Sequence, residues 1–373
     1  MKKLLNEICK PKQWKTISTS DLLKEGYSVY GANGVIGFYN EYTHKEPTLM
    51  ITCRGATCGT LNISKPFSYI NGNAMALDDL DKDVDMKFLY YYLSNRGLRD
   101  TISGSAQPQI TRIGLSKVEI EYPNIEIQLK IVDVLDKAQG LIDKRKKQLI
   151  ALEQLVKSRF IDMFGNPATN SKGWVVEELS ECLINIENGK SFVCENFSRE
   201  GEYPAILKLS AVTYGTYDSS ENKALTGEDL FVGSVEVKNG DLLFTRKNTP
   251  ELVGMSAYVY ETSPKLMMPD LIFRLNTNKK CNKVYLWKLI NHDFFRENIK
   301  ALSNGSAKSM SNISKERLMK LNIPLPPIEL QKQFADFVKQ VNKLKFEMEE
   351  SLKELENNFN SLMQRAFKGE LFN

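Results

Sequence analysis

Two stretches decide the fold: Pro123-Asn124-Ile125-Glu126-Ile127-Gln128 and, 203 residues later, Pro326-Pro327-Ile328-Glu329-Leu330-Gln331. A proline just ahead of a periodic apolar run is typical of a helix start. Its fixed φ suits the first turn, and its missing N–H has no helical partner to lose there. Each copy of the motif therefore predicts the beginning of a helix.

Apolar residues recur every three or four positions after each motif, which is the 3.5-residue repeat of a coiled coil. We predict two long spacer helices, over 123–165 and 326–373, each a rod on the order of 50 Å long. One offset relates nearly all of these apolar residues, which indicates an internal repeat. They are Ile131, Leu135, Ala138, Ile142, Leu149, Leu152, Val156 and Met163 in the first rod, and Phe334, Val338, Val341, Met348, Leu352, Leu355, Phe359, Leu362 and Ala366 in the second.

The rods also carry opposite charges near their centres. The first holds Lys144-Arg145-Lys146-Lys147, and the second holds Glu347, Glu349 and Glu350. If the rods pack antiparallel, centre meets centre and the basic run lies against the acidic one. The alternative is that both runs are solvated faces.

Composition narrows the class of protein. A chain of 373 residues predicts two or three domains, and 42% apolar residues suffice for sizeable cores. No apolar run approaches the length of a membrane span, and no secretory signal is evident, so we expect a cytoplasmic protein without membrane contact. The net charge of +4 permits nucleic-acid binding without demanding it. The six cysteines are scattered and only two histidines are present, so we expect neither a metal site nor histidine-based catalysis.

The segments outside the rods form a second repeat. The strand-like run Leu49–Arg54 has a counterpart in Leu242–Arg246, and each ends on an arginine at a loop. Polar loops, Gly104–Arg112 and Gly305–Ser314, each precede an apolar stretch and the proline that starts a rod. Gln, Asn, Thr and Arg are side chains that contact base edges and phosphates. One such loop alone would be an ordinary polar loop, but its recurrence in both halves favours a shared function.

Taken together, these motifs resemble the DNA-specificity subunit of Type I restriction–modification systems over essentially the full length. The resemblance rests on the two rod starts, the two Gly-Ser-Ala loops, Arg159–Gly165 and the ending Leu362–Leu371. It implies an α+β fold with two pseudo-repeated globular target-recognition domains, 1–122 and 166–325, separated by the two long antiparallel coiled-coil helices. Each domain would read one half of a bipartite, asymmetric target on double-stranded DNA, roughly one helical turn (~34–36 Å) apart.

The resemblance also implies partners. The helices would dock two methyltransferase subunits, which bind S-adenosylmethionine and methylate adenine, and two motor–nuclease subunits would add restriction. This chain itself lacks the Asn/Asp-Pro-Pro-Tyr/Phe signature of adenine methyltransferases and a Walker A loop. We therefore expect a non-catalytic subunit with no cofactor of its own. The alternative is a stand-alone coiled-coil scaffold or DNA-binding regulator without methyltransferase partners.

The candidate DNA-binding residues lie in the repeated loops. We expect Arg54 and Arg246 to contact guanine or phosphate, and Gln107, Gln109 and Asn312 to contact base edges. The full set is Arg54, Gln107, Gln109, Thr111 and Arg112 in the first half, and Arg246, Lys247, Asn248, Lys308, Ser309, Ser311 and Asn312 in the second.

Overall fold

The computed structural model describes residues 1–32, 34–104, 107–303 and 310–372. The chain divides into two compact units. Unit 1 comprises Met1–Lys147 and Glu349–Asn373, and unit 2 comprises Gln148–Met348.

Unit 1 is built around two small sheets. Its strands are β1 Lys2–Leu4, β2 Lys10–Gln13, β3 Tyr27–Gly31, β4 Gly34–Tyr39, β5 Leu49–Thr52, β6 Leu61–Ile63, β7 Tyr69–Ile70, β8 Ala74–Asp78, β9 Ile102–Ser103, β10 Gln109–Ile110 and β11 Glu119–Glu121. Its helices are α1 Leu5–Ile8, α2 Met86–Arg96, α3 Arg112–Leu115 and the first part of α4 Ile125–Phe164, with 3₁₀ turns at Thr19–Asp21 and Arg99–Thr101.

Unit 2 follows the same plan with longer connections. Its strands are β12 Val175–Glu178, β13 Leu183–Asn188, β14 Ala205–Leu207, β15 Asn222–Ala224, β16 Leu242–Thr245, β17 Lys247–Asn248, β18 Ser256–Tyr258, β19 Leu266–Met267, β20 Ile272–Thr277, β21 Ser311–Asn312 and β22 Asn322–Leu325. Its helices are α5 Ser210–Thr213, α6 Lys283–Ile290, α7 Arg296–Lys300, α8 Lys315–Met319 and the first part of α9 Ile328–Phe367, with 3₁₀ turns at Leu179–Cys182, Glu228–Leu230, Gly233–Val235 and Asp293–Phe295.

The sheets have one topology in both units. The four-stranded sheet runs β2-β8-β5-β6 in unit 1 and β13-β20-β16-β18 in unit 2. The three-stranded sheet runs β4-β3-β7 and β15-β14-β19, and in each the last pair is parallel. A strand near the start of each domain pairs with the strand just before its rod, β1 with β11 and β12 with β22. The repeat seen in the rods therefore extends through the globular parts.

The two long helices form as the apolar repeat predicts, with 40 residues each. In unit 1, Leu135 near the start of α4 shares a core with Ala366 near the end of α9. In unit 2, Phe160 near the end of α4 lies 5.5 Å, ring to ring, from Phe334 near the start of α9. In both units the start of one long helix contacts the end of the other, so the helices pair antiparallel as predicted.

Ion pairs link the two helices near their middles. Lys146 of the basic run pairs with Glu356 at 2.8 Å, and Lys345 pairs with Glu153 at 2.7 Å. Both pairs are partly exposed, so each contributes about 0–1 kcal/mol. Neither uses the acidic run around Glu349, so the proposed match between the two charged runs stays a prediction.

The glutamine of the first rod motif explains why that motif recurs. Gln128 is fully buried at the start of α4. Its Nε2 donates to the carbonyls of Asp83 (2.8 Å) and Pro123 (2.9 Å), and its Oε1 accepts from the backbone N–H of Asp85 (2.8 Å). Asp85 is the N-cap of α2. One amide thus ties the rod to the domain helix beside it.

Unit 2 repeats this arrangement. Gln331 is fully buried at the start of α9. Its Nε2 donates to the carbonyls of Lys280 (3.1 Å) and Pro326 (2.7 Å), and its Oε1 accepts from the N–H of Asn282 (2.8 Å), the N-cap of α6. The equivalence of these contacts shows that the motif encodes a junction between rod and domain, beyond starting a helix.

We predict that Gln128→Leu and Gln331→Leu each lower the free energy of unfolding by about 3 kcal/mol. Each change removes a buried amide that makes three hydrogen bonds with backbone groups. Denaturant unfolding followed by circular dichroism measures the loss. Gln139→Leu is the control, because that amide donates to Asp143 on an exposed helix face. Equal stabilities for Gln331→Leu and Gln139→Leu would contradict the junction role.

Lys288 is a poorly solvated cation on α6. Its Nζ lies 3.5 Å from the ring centroid of Trp287. Burial, reinforced by the positive charges of Lys345 and Lys157, lowers the pKa of Lys288 from 10.5 to about 7, against the opposing effect of Glu153. At neutral pH the folded state therefore holds fewer protons at this site than the unfolded chain.

The contribution of Lys288 to the stability of unit 2 should consequently rise with pH between 7 and 10.5, because over that window the unfolded lysine keeps the proton that folded Lys288 has lost. We predict that Lys288→Met raises the melting temperature most at or below pH 7 and least near pH 10. The exposed Lys279→Met serves as the control for the loss of one surface cation. A constant difference for Lys288→Met across the range would refute the lowered pKa.

Candidate nucleic-acid interface

In unit 1 the end of β5 meets the polar loop that precedes the rod. Arg54 and Gln109 face each other across an antiparallel bridge, and the N–H of Ile110 donates to the carbonyl of Cys53 at 3.0 Å. Facing positions in such a bridge place their Cβ atoms about 4.5–5.5 Å apart on one side of the backbone. Arg54 and Gln109 are both exposed. The fold thus brings together a cationic side chain and an amide that lie far apart in sequence.

Two more of the predicted residues complete this surface. Thr111 accepts from the N–H of Gly114 at 3.1 Å and so caps α3, which begins with the exposed Arg112. Gln107 is exposed as well but does not line the same groove. The groove has a volume of about 600 Å³ and is lined by Asn6, Pro11, Gln13, Arg54, Gln109, Ile110, Thr111, Arg112, Ile113 and Ser116.

In unit 2 the corresponding loop pairs with β17. Lys247 faces Asn312, and the N–H of Ile313 donates to the carbonyl of Arg246 at 2.8 Å. Ile313 therefore occupies the place of Ile110, and Asn312 that of Gln109.

The pairing also aligns the basic residues of the two units. Thr52 and Thr245 are equivalent, because each accepts a backbone hydrogen bond from the glycine that ends the following turn, Gly59 and Gly254. Counting onward, the structural counterpart of Arg54 is Lys247. The alignment of the two halves of the sequence, which paired Arg54 with Arg246, is therefore wrong by one residue. A one-residue shift along an extended segment turns a side chain to the opposite face.

Arg246 accordingly points toward the protein. Its guanidinium lies 5.0 Å from the ring centroid of Phe273, and its Nη2 donates to Oδ1 of Asn312 at 3.3 Å. Its Nε is buried without a hydrogen-bond partner among the described residues. Arg246 is thus placed to orient the Asn312 amide, and its side chain is only partly accessible.

Two other predicted residues in this loop are buried. Asn248 donates from Nδ2 to Oγ1 of Thr213 at 3.0 Å and accepts at Oδ1 from the N–H of Thr249 at 2.8 Å. Ser311, which faces Asn248 in the β17–β21 pair, is 5% exposed. Both hold the loop in shape. Lys308 and Ser309 lie outside the described residues.

Sequence reasoning missed residues that reach the interface from elsewhere in the chain. Asn6 of α1 and Gln13 of β2 line the groove of unit 1 although they lie far from the polar loop in sequence. Phe273 supports Arg246 from β20. No local motif marks any of them.

Among the described residues, no helix is both long and apolar enough to cross a membrane. The same part of the chain contains no group of three or more His, Cys, Asp or Glu side chains placed to hold a metal ion.

Comparison with known proteins gives one consistent family. The model of the Type I restriction modification DNA specificity domain matches residues 1–154 and 171–357. The EcoEI specificity subunit of Escherichia coli is 32% identical over 179 residues, covering 46% of this chain and 30% of that protein. The MjaVIII specificity subunit of Methanocaldococcus jannaschii is 22% identical over 380 residues, covering 90% and 87%. The chain thus matches less than a third of the EcoEI subunit but most of the MjaVIII subunit.

Solved structures agree on the fold. The S subunit of a Type I restriction–modification system from M. genitalium superposes with a TM-score of 0.63 at 16% identity, covering 98% of this chain and 95% of that one. A chain from a study of complex assembly and conformational transition in the type I R-M system superposes with a TM-score of 0.55 at 15% identity, covering 100% and 98%. The predicted α+β class with paired long helices is thereby confirmed.

The burial pattern separates loop-holding residues from accessible ones. We predict that Asn248→Ala lowers the free energy of unfolding by about 1–3 kcal/mol, since it removes the two hydrogen bonds that the buried Asn248 amide makes with the Thr213 hydroxyl and the Thr249 N–H. Lys247→Ala, the adjacent control, should stay within about 0.5 kcal/mol of the parent. Urea unfolding compares the two. Equal destabilisation would show that exposure does not distinguish their roles.

Proposed function

Because the chain belongs to the family of Type I restriction modification DNA specificity domains, we propose that it is the subunit that directs a methyltransferase to a bipartite, asymmetric DNA sequence. One observation carries the proposal: both units present a basic residue opposite an amide residue at the same place in the same fold, Arg54 opposite Gln109 and Lys247 opposite Asn312. Two such surfaces in one chain suit two half-sites. The family match favours this reading over a regulator without methyltransferase partners.

Each surface combines the two kinds of contact that sequence-specific readers need. A guanidinium or ammonium binds phosphate or the acceptor edge of guanine, and a side-chain amide pairs with base edges in the major groove. In unit 1, Arg54, Gln109 and Arg112 share one open groove. In unit 2, Lys247 faces Asn312 across the β17–β21 pair, and Arg246 orients the amide of Asn312.

The division of labour follows the predicted boundaries. Residues 1–122 and 166–325 act as target-recognition domains, and 123–165 and 326–373 act as spacer helices that dock two methyltransferase subunits. Those partners supply S-adenosylmethionine and the catalytic groups. This chain is non-catalytic and works in the cytoplasm, with two motor–nuclease subunits where the system includes restriction. The target is asymmetric because the exposed residues of the two units differ.

The test is a methylome. The chain is co-expressed with the methyltransferase encoded beside it in a host lacking adenine methylation, and N6-methyladenine is mapped by long-read sequencing. We expect a split motif with one modified adenine in each half, absent when this chain is omitted. A stable complex that gives no new methylation would overturn the proposal.

The same assay separates the half-sites. We predict that Arg54→Ala relaxes or abolishes recognition in one half of the motif and Lys247→Ala in the other. Each loses one base or phosphate contact, worth about 1–3 kcal/mol of discrimination for a bidentate base pair. Lys82→Ala and Lys279→Ala, exposed cations outside the loops, are the controls and should leave the motif intact. If both loop variants altered the same half, the assignment of one half-site to each unit would fail.

A further inference from the structure

The two units differ most at one connection. In unit 1 only two residues separate β3, which ends at Gly31, from β4, which begins at Gly34. In unit 2 the corresponding strands β14 and β15 are joined by residues 208–221, which include helix α5. Unit 2 thus carries an insertion where unit 1 has a two-residue connection.

This connection is anchored to the candidate interface in both units. In unit 1 the hydroxyl of Thr52, two residues before Arg54, donates to the carbonyl of Ala32 in the connection at 2.5 Å. In unit 2 the amide of Asn248, next to Lys247, donates to the hydroxyl of Thr213 at 3.0 Å. The two units share the position of this connection, but its length and its side chains differ between them.

Helix α5 of the insertion ends at an exposed aromatic residue, Tyr214. Thr213, the residue before Tyr214, is buried. The carbonyl of Gly215, the residue after it, accepts a hydrogen bond from Nε1 of Trp287 at 2.9 Å. Gly215 has φ +81, a conformation that L side chains rarely adopt, so the chain reverses sharply here. Tyr214 itself is 73% exposed. Its backbone is held at both neighbours while its side chain extends into solvent.

We infer that Tyr214 is a specificity-determining DNA contact of unit 2, a role that rests on the proposed function. A tyrosine ring on a fixed backbone has two side-chain torsions to order on binding, so it offers a large contact surface at low entropic cost. The ring packs against a base edge, with the thymine methyl group as its apolar partner, and the hydroxyl can donate to or accept from a neighbouring base or phosphate.

The surroundings favour DNA over a protein partner. Tyr214 lies between buried Thr213 and half-buried Gly215, so its exposed ring is not continued by an apolar side chain next to it in the sequence. The tethered loop carries Lys247 as a cation. Since unit 1 has no inserted helix here, the two half-sites are read by different side chains at this point.

Two variants test the inference in the full complex with the methyltransferase subunits. Competition binding uses the methylome-derived duplex, the same duplex with the unit 2 half-site scrambled, and one with the unit 1 half-site scrambled. We expect Tyr214→Ala to weaken binding to the intact target by roughly tenfold and to reduce its preference over the unit 2 scramble by the same factor. Tyr214→Phe should retain most of both. Phe197→Ala, another exposed aromatic of unit 2, should change neither.

The outcomes are distinct. Unchanged affinity and preference for Tyr214→Ala, in a complex that methylates normally, would overturn the inference and leave the proposed function standing. An equal loss on intact and scrambled duplexes would also overturn it, because it would indicate a contact to the DNA backbone. A parent complex without sequence preference would instead remove the proposed function. Thermal unfolding should show no shift for Tyr214→Ala, as expected for an exposed ring.

Discussion

The fold depends on a buried glutamine at each junction between rod and domain. Through a fully buried side-chain amide, Gln128 and Gln331 each satisfy one backbone donor and two backbone acceptors. An unsatisfied buried polar group is costly, and side-chain amides supply both donor and acceptor from one planar group. The geometry at each junction is therefore narrowly defined. Because the same residue lies in the first turn of the rod, the direction of each rod is tied to the N-terminus of a domain helix, α2 or α6.

The candidate interface also depends on hydrogen bonds to the backbone. The polar loop has few apolar residues with which to pack, and it takes its shape from backbone pairing with the segment after β5 or β16. This pairing uses main-chain atoms, so it tolerates different side chains in the two units. Arg54 and Lys247 can differ, as can Gln109 and Asn312, while the frame that presents them stays the same. A duplicated frame with variable exposed positions is a physical route to an asymmetric target.

Burial assigns opposite tasks to adjacent residues. The guanidinium of Arg246 lies over the ring of Phe273 and donates to the Asn312 side chain. Lys247, the next residue, is paired with Asn312 through the backbone of the β17–β21 pair. Asn248 then turns inward to Thr213. In unit 1 the same three positions are Cys53, Arg54 and Gly55, and only Arg54 is fully exposed. The alternation of faces along an extended segment produces this pattern in both units.

The sequence by itself determined the elements whose signals are local or periodic. The proline motif and the apolar repeat predicted both rods to within a few residues, and their common offset predicted a repeated architecture. The polar loops were also found, because their composition recurs at one place in each half. What only the tertiary structure decided was which side chains face outward together. Three features depend on hydrogen bonds between segments far apart in the chain. They are the structural equivalence of Arg54 and Lys247, the burial of Asn248 and Ser311, and the exposure of Tyr214. No local pattern encodes such pairings. A shift of one residue exchanges the buried and exposed faces of a strand, and the amino-acid composition of the segment is the same in both registers.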